Sequence, residues 1–296
     1  MNTVSRFFSI VTGPGAASRM MSLMLGLIVS TASLAEPTQN RYFTASDGTR
    51  LHYLEAGRGQ TIVFVPGWTM PAYIWQAQIE YFASHYNVIA FDPRGQGSSS
   101  IPASGYTSER RALDLKELID GLDRQVVLVG WSLGVLEALA YIRQHGDERI
   151  AALVLIDNSI GEEPPPSSDP TFLQRLRRDQ HATMHRFVRG MYRTPQSEQY
   201  LNKLAGTAMR VPLEASLALL SYSHPRQYWK ETIYATRKPV LYLVSKRFRG
   251  QAQNLEKNRP DSHIVVFENA GHALFVDEPK RFNKALGDFI ASEVWP

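Results

Sequence analysis

Gly130-Trp131-Ser132-Leu133-Gly134 follows the apolar run Val126 to Val129 and precedes a helix-forming stretch, Val135 to His145. Strand, sharp turn, helix is the context that makes a G-x-S-x-G pattern a nucleophile elbow. Its chemistry would be attack by the Ser132 hydroxyl on an electrophilic carbonyl. The glycines suit that role, because larger side chains at 130 or 134 would collide across so tight a turn. The hydroxyl is then delivered at a helix N-terminus, where the amide of Leu133 points at an oxyanion forming on the substrate. A chance match in a loop is the bland alternative, and the flanking strand and helix weigh against it.

A serine hydroxyl is a weak nucleophile without a base. Ser262 to Glu268 reads as a strand, and Asn269-Ala270-Gly271-His272-Ala273 follows at once. His272 therefore sits in the loop after the last strand, where it could swing over Ser132 and take its proton. The competing reading is a histidine that merely caps a loop. His85, His145, His181, His185 and His224 lack such a context and suit surface or packing roles.

The elements around these residues alternate. Arg41 to Leu54 reads as a hairpin with Asp47-Gly48 at its turn. Thr61 to Val65, Asn87 to Phe91, the elbow strand and Ile150 to Ile156 read as strands, with a helix over Tyr106 to Leu122. Alternation predicts an α/β fold, a mostly parallel sheet with helices on both faces, whose strand C-terminal ends carry the site. It breaks at Asn158 and resumes at Pro239. The intervening insertion opens on a stiff linker, Gly161 to Pro166. One helix carries Arg175, Arg177 and Arg178. A second carries Phe187, Val188, Met191 and Tyr192, and Pro212 to Tyr222 is apolar on one side. Most of these apolar residues would form the insertion's own core. The remainder would favour an apolar substrate. The arginines read first as a solvated face, with a substrate-carboxylate site as the sharper alternative.

From Arg41 to the C-terminus the chain resembles the α/β-hydrolase fold family, in its serine esterase and haloperoxidase-like perhydrolase branch. The resemblance rests on the elbow, on Val65-Pro66-Gly67-Trp68, on Phe91-Asp92-Pro93-Arg94-Gly95-Gln96-Gly97-Ser98-Ser99, and on Gly271-His272 before Glu278-Pro279, in that order. It implies a core of 36–157 and 237–296, with 158–236 as a helical cap inserted after the sixth strand. It implies that the Trp68 amide joins that of Leu133 as an oxyanion hole. Pro66-Gly67 stands where the family usually has His-Gly. The family's acid normally follows the next-to-last strand. Here Pro239 to Val244 is followed by Ser245-Lys246-Arg247-Phe248-Arg249-Gly250, which contains no carboxylate. Some relatives place the acid one strand earlier, a position that Asp157 matches. Glu162 and Glu163, on a loop hinged at Gly161, remain the alternatives for the acid.

Residues 1–35 read as a signal peptide. Arg6 and Arg19 precede the short apolar core Met20 to Val29, and Ser33-Leu34-Ala35 precedes Glu36. That core is well short of the ~20 apolar residues of a spanning helix. The expectation is a periplasmic or secreted protein without stable membrane insertion. The chain has no cysteine, which excludes disulfides and a lipidated cysteine. Its net charge of +4 includes the leader's two arginines, so the remainder is only mildly basic. Nothing in that balance points to nucleic acid. The expected function is hydrolysis of a small carboxylic ester or lactone, with no metal or organic cofactor. A perhydrolase using the same residues, or a ligand receptor built on this scaffold, are the alternatives.

Overall fold

The computed structural model describes residues 37–167, 169–222 and 224–295. The signal-peptide reading of 1–35 lies outside them. Among the described residues eight strands form one sheet: β1 (Gln39–Thr44), β2 (Arg50–Ala56), β3 (Thr61–Val65), β4 (Asn87–Asp92), β5 (Val126–Trp131), β6 (Ile150–Ile156), β7 (Val240–Ser245) and β8 (Ser262–Phe267). Their spatial order is β1-β2-β4-β3-β5-β6-β7-β8. Only β1–β2 and β2–β4 pair antiparallel, and from β4 to β8 every pairing is parallel. The expected hairpin is β1–β2, closed at Gly48, whose φ of 82° suits a residue without a Cβ.

Strands β3, β5 and β7 are buried along their whole length. A parallel sheet covered on both faces requires this, and it is why they read as continuous apolar runs rather than alternating ones. Side chains still alternate between the two faces. Ile62, Phe64, Val127, Val129 and Val154 pack with α1 (Gln76–Phe82) and α11 (Pro279–Phe289). Val63, Leu128, Leu153 and Leu155 pack on the opposite face with α2 (Ser108–Asp120), α3 (Leu133–His145) and α9 (Arg249–Asn258). Helix α2 starts where the Thr107 side chain accepts from the Arg110 amide at 3.3 Å.

Between β6 and β7 lie α4 (Phe172–Arg178), α5 (Gln180–Gly190), α6 (Glu198–Ala208), α7 (Leu213–Leu219) and α8 (Arg226–Ala235). Asp179 caps α5 through the Ala182 amide, and Ser197 caps α6 through that of Tyr200. Leu176, Met184, Val188, Leu204 and Leu217 bury together between these helices. The second insertion helix ends at Gly190, before Met191 and Tyr192, and this shortens the sequence expectation. The Met191 carbonyl accepts from the Ala273 amide at 3.0 Å instead of continuing the helix. Among the described residues no helix is long and apolar enough to cross a membrane.

Candidate active site

Ser132 sits between β5 and α3 with φ 54° and ψ −120°, a conformation rarely adopted by a residue with a Cβ. Local bonds hold it there. Its amide donates to the Ile156 carbonyl at 2.9 Å, and the Asn158 side-chain amide donates to its carbonyl at 2.7 Å. A Cβ on Gly130 would run into the backbone of Gly134, and one on Gly134 would fall 2.5 Å from the Val65 carbonyl oxygen. Both glycines are thus demanded by close backbone approach, as the motif implied.

His272 follows β8 and reaches back to the elbow. Its Nε2 lies 2.8 Å from Ser132 Oγ and its Nδ1 2.8 Å from Asp157 Oδ2. Asp157 follows β6 directly, with φ 48° and a side chain only 1% exposed. Its amide donates to the Leu243 carbonyl, and its Oδ1 accepts from the Ser245 amide at 2.6 Å. The loop after β7 therefore supplies no carboxylate, but the last residue of β7, Ser245, supplies an amide that orients one. Glu162 and Glu163 face elsewhere. Tyr234 donates to Glu162 at 2.6 Å and Lys230 pairs with it, while Glu163 pairs with Arg226 at 3.2 Å. The structure brings Ser132, His272 and Asp157 together and leaves both alternatives out.

The His272 loop is fastened on two sides. Trp131 Nε1 donates to the His272 carbonyl at 2.8 Å. Asp277, in the short helix α10 (Leu274–Asp277), accepts from the Gly271 amide at 2.7 Å and from the amides of Arg193 and Thr194 at 2.9 Å each. Sequence reasoning passed over Asp277. Its position five residues after His272, two residues before the amphipathic helix that opens at Pro279, was the available signal.

Gly67 lies directly over the elbow: a Cβ there would be 3.0 Å from Ser132 Cβ. This sets the next residue, Trp68, beside Ser132, and the two share a cavity wall with Leu133. Among the described residues the amides of Trp68 and Leu133 make no hydrogen bond to the protein. Gln96 anchors the loop, donating to the carbonyls of Gly67 at 3.1 Å and Met70 at 2.7 Å, and Arg111 in turn donates to Gln96 at 2.9 Å. Asp92 accepts from the Ala72 amide at 2.5 Å and lies 2.7 Å from the buried His52 ring. The Asp92-to-Ser99 motif thus acts as a brace for the Trp68 loop, a job invisible at the level of motif matching. His52 was also unread, because its partner lies forty residues away.

Three cavities meet this constellation: one of about 520 Å³ is lined by Asp157 and His272 with Arg193, Lys246, Arg247 and Glu268, and two smaller ones lie beside Ser132 and His272. Of the smaller two, one, about 260 Å³, is lined by Trp68, Ser132, Leu133, Leu136, Asn158, Leu219, Leu220, Tyr222 and Trp229. Behind its wall Tyr222 donates to Glu137 at 3.4 Å, and burial pushes the Glu137 carboxyl up to about 7 although Arg111 lies 2.6 Å away. The other, about 290 Å³, has His272 in its wall together with Phe172, Phe187, Met191 and three arginines. Arg177 and Arg178 are exposed, as a solvated face requires, but Arg175 lines this second cavity. Among the described residues no group of three histidine, aspartate or glutamate side chains could hold a metal ion.

Comparison with known proteins yields a consistent set. A family model described as the alpha/beta hydrolase family matches residues 62–285. A pimeloyl-[acyl-carrier protein] methyl ester esterase of Vibrio vulnificus is 27% identical over 264 residues, spanning 81% of this chain and 98% of the relative. A non-heme haloperoxidase of Rhodococcus erythropolis is 37% identical over 126 residues, 42% of this chain and 44% of the relative. Among solved structures, an esterase from Exiguobacterium antarcticum superposes with a TM-score of 0.77 at 22% identity, covering 86% of this chain and all of that one. At that identity the likeness speaks for the fold alone.

Proposed function

From the premise that this chain belongs to the alpha/beta hydrolase family, we propose that it is an exported serine hydrolase that cleaves a small, largely apolar carboxylic ester or lactone. The observation that carries the reading is one hydrogen-bonded line: Ser132 Oγ to His272 Nε2 at 2.8 Å, and His272 Nδ1 to Asp157 at 2.8 Å. In the first half-reaction Ser132 Oγ bonds to the ester carbonyl carbon while its proton passes to His272 Nε2. Asp157 stabilises the imidazolium through Nδ1–H. The carbonyl oxygen becomes an oxyanion between the amides of Trp68 and Leu133, a type of contact that contributes about 3 kcal/mol per donor to the transition state. The carbon–oxygen bond to the alcohol then breaks, and His272 returns the proton to the departing oxygen. Water repeats the sequence on the acyl-enzyme and regenerates Ser132. No metal or organic cofactor takes part in these steps.

The ester reading is supported by the esterase relative that aligns over nearly its whole length. The expected result is turnover of p-nitrophenyl esters of short acids in buffer alone, with a fluorophosphonate adding to the peptide that contains Ser132. Absence of both turnover and adduct would remove the reading. The shorter match to a haloperoxidase keeps a perhydrolase in view, in which peroxide replaces water at deacylation. Bromination of monochlorodimedone in acetate and peroxide, at a rate exceeding ester hydrolysis, would select it.

Export is proposed from residues 1–35 alone, as a basic, apolar, small-residue leader. The chain recovered from the periplasm or medium of its native cell should begin near Glu36 by N-terminal sequencing. An intact Met1 in the cytosol would overturn this.

A further inference from the structure

Two chambers of the site differ in charge, one lined by no charged side chain and the other by three arginines, and we propose that they sort the two halves of the substrate. The acyl group would occupy the uncharged chamber beside Ser132, and the leaving alcohol would carry an anionic group, carboxylate or phosphate, into the arginine-lined chamber beside His272. The proposal rests on the serine-hydrolase reading above and adds the substrate class.

The direction follows from the reaction. Once the carbonyl carbon lies on Ser132 Oγ and its oxygen faces the amides of Trp68 and Leu133, the oxygen of the leaving alcohol must lie within reach of His272 Nε2. The proton taken from Ser132 has to be delivered there as the carbon–oxygen bond breaks. The alcohol half therefore extends on the His272 side and the acyl half on the other. The 260 Å³ cavity includes Ser132 and is walled by Leu136, Leu219, Leu220 and Trp229. The 290 Å³ cavity includes His272. The Trp68 ring is a partition between them: it lines the first, and Phe172 and Phe187 of the second meet it edge-on at 5.7 and 5.1 Å.

Charge distinguishes the chambers. Arg175, Arg186 and Arg247 line the His272 chamber without a carboxylate, and the adjoining cavity that shares His272 and Arg247 adds Arg193 and Lys246 against Glu268 and Asp157. Arg175 is paired with Asp169 at 2.6 Å, on the outer side. Among the described residues Arg186 and Arg247 have no carboxylate partner, and Arg247 donates to a carbonyl, that of Ser167, at 2.7 Å. The neighbouring cations Lys246 and Arg249 are both spoken for by Glu268. Guanidinium pairs oxygen anions in a planar, two-pronged fashion, and Arg186 and Arg247, both exposed, can turn their donors toward an anion at the chamber mouth. Arg247 belongs to the loop where an acid was expected. With the acid carried instead by Asp157, that loop is free to present a cation to the substrate.

The test is a charge series on one leaving group: phenyl, 3-carboxyphenyl, 3-phosphonophenyl and 3-(trimethylammonio)phenyl butyrate. Ratios of kcat/KM, charged over neutral, are compared between wild type and variants, so that intrinsic reactivity cancels. Arg186→Gln with Arg247→Gln should lower the anion-to-neutral ratio by about tenfold, the modest scale of charge-assisted contacts on two exposed arginines, and raise the cation-to-neutral ratio. The carboxyl and phosphonyl members tell which anion is preferred. Arg178→Gln, an exposed arginine of α4 outside both cavities, should leave the ratios unchanged. The product 3-hydroxybenzoate should inhibit the wild type competitively and each single variant more weakly, a readout that does not depend on the double variant folding. Unchanged ratios, with neutral ester still cleaved in a Ser132-dependent way, would overturn the proposal alone. The same loss for an acyl-side anion, monophenyl glutarate, would reverse the chambers and overturn it too. Ester cleavage that survives Ser132→Ala would remove the underlying reading and the proposal with it.

Discussion

Ser132→Ala should leave a folded protein in which ester turnover falls by about 10⁶-fold and fluorophosphonate labelling disappears, the scale found when a serine nucleophile is removed from a comparable triad. The argument for retained folding is specific. The strained backbone at φ 54° is a cost that serine and alanine share, since both carry a Cβ. The bonds that hold the elbow, from its amide to Ile156 and from the Asn158 side chain to its carbonyl, engage only the backbone of residue 132 and survive the substitution. What disappears is the oxygen proposed to form the acyl-enzyme. The amides of Trp68 and Leu133 stay in place, so a slow residual hydrolysis by water is expected rather than none. Steady-state rates on p-nitrophenyl butyrate and intact-mass spectrometry after labelling read the result. Wild-type rates in the alanine variant would sink the nucleophile assignment.

Asp157→Asn should cost about 10³–10⁴-fold in turnover with little change in stability, the scale of neutralising a triad acid. Asparagine is the isostere that best tolerates the φ of 48° found here. The Ser245 amide, 2.6 Å from Oδ1, fixes which way the new side chain turns. Its oxygen stays on Ser245, and its NH₂ is therefore aimed at His272 Nδ1. A donor there forces Nδ1 to accept and places the ring proton on Nε2, facing Ser132. That is the tautomer that cannot take the serine proton. Glu162→Gln and Glu163→Gln should each cost less than about tenfold, because a serine enzyme loses little when a carboxylate outside its triad is neutralised. Parallel measurement of kcat and thermal midpoint separates the outcomes. A loss under tenfold at Asp157, with the fold intact, would put the orienting charge elsewhere.

Much of this site was legible because its determinants are local. The elbow announces itself through two glycines and a serine between an apolar run and a helix. His272 is found by its place after the last strand. Asp157 was reached differently, through the absence of a carboxylate after β7 and a resemblance to relatives whose acid sits one strand earlier. What sequence reading missed depends on contacts between distant segments. Gln96 holds the carbonyls of Gly67 and Met70 across nearly thirty residues of chain, and His52 finds Asp92 only because β2 and β4 are neighbours. No periodicity encodes such pairings. The end of α5 was misread for the same reason: Met191 and Tyr192 continue an apolar pattern, but a bond to Ala273, far along the chain, ends the helix first. The arginines of the insertion divide between solvent and cavity according to helix orientation, which composition alone does not resolve.

The fastening of the His272 loop has a dynamic consequence. Met191, Arg193 and Thr194 belong to the insertion, yet their backbone bonds to Ala273 and Asp277 make them one unit with the segment that carries His272. That corner cannot lift away from the sheet without carrying the imidazole off Ser132. Any breathing of the insertion that preserves a competent enzyme must pivot about this corner and open elsewhere, as at Leu219, Leu220 and Tyr222, which wall the cavity beside Ser132. In hydrogen-exchange experiments the amides of Ala273, Gly271 and Thr194 would then open together and slowly, while those around Leu220 exchange early and independently.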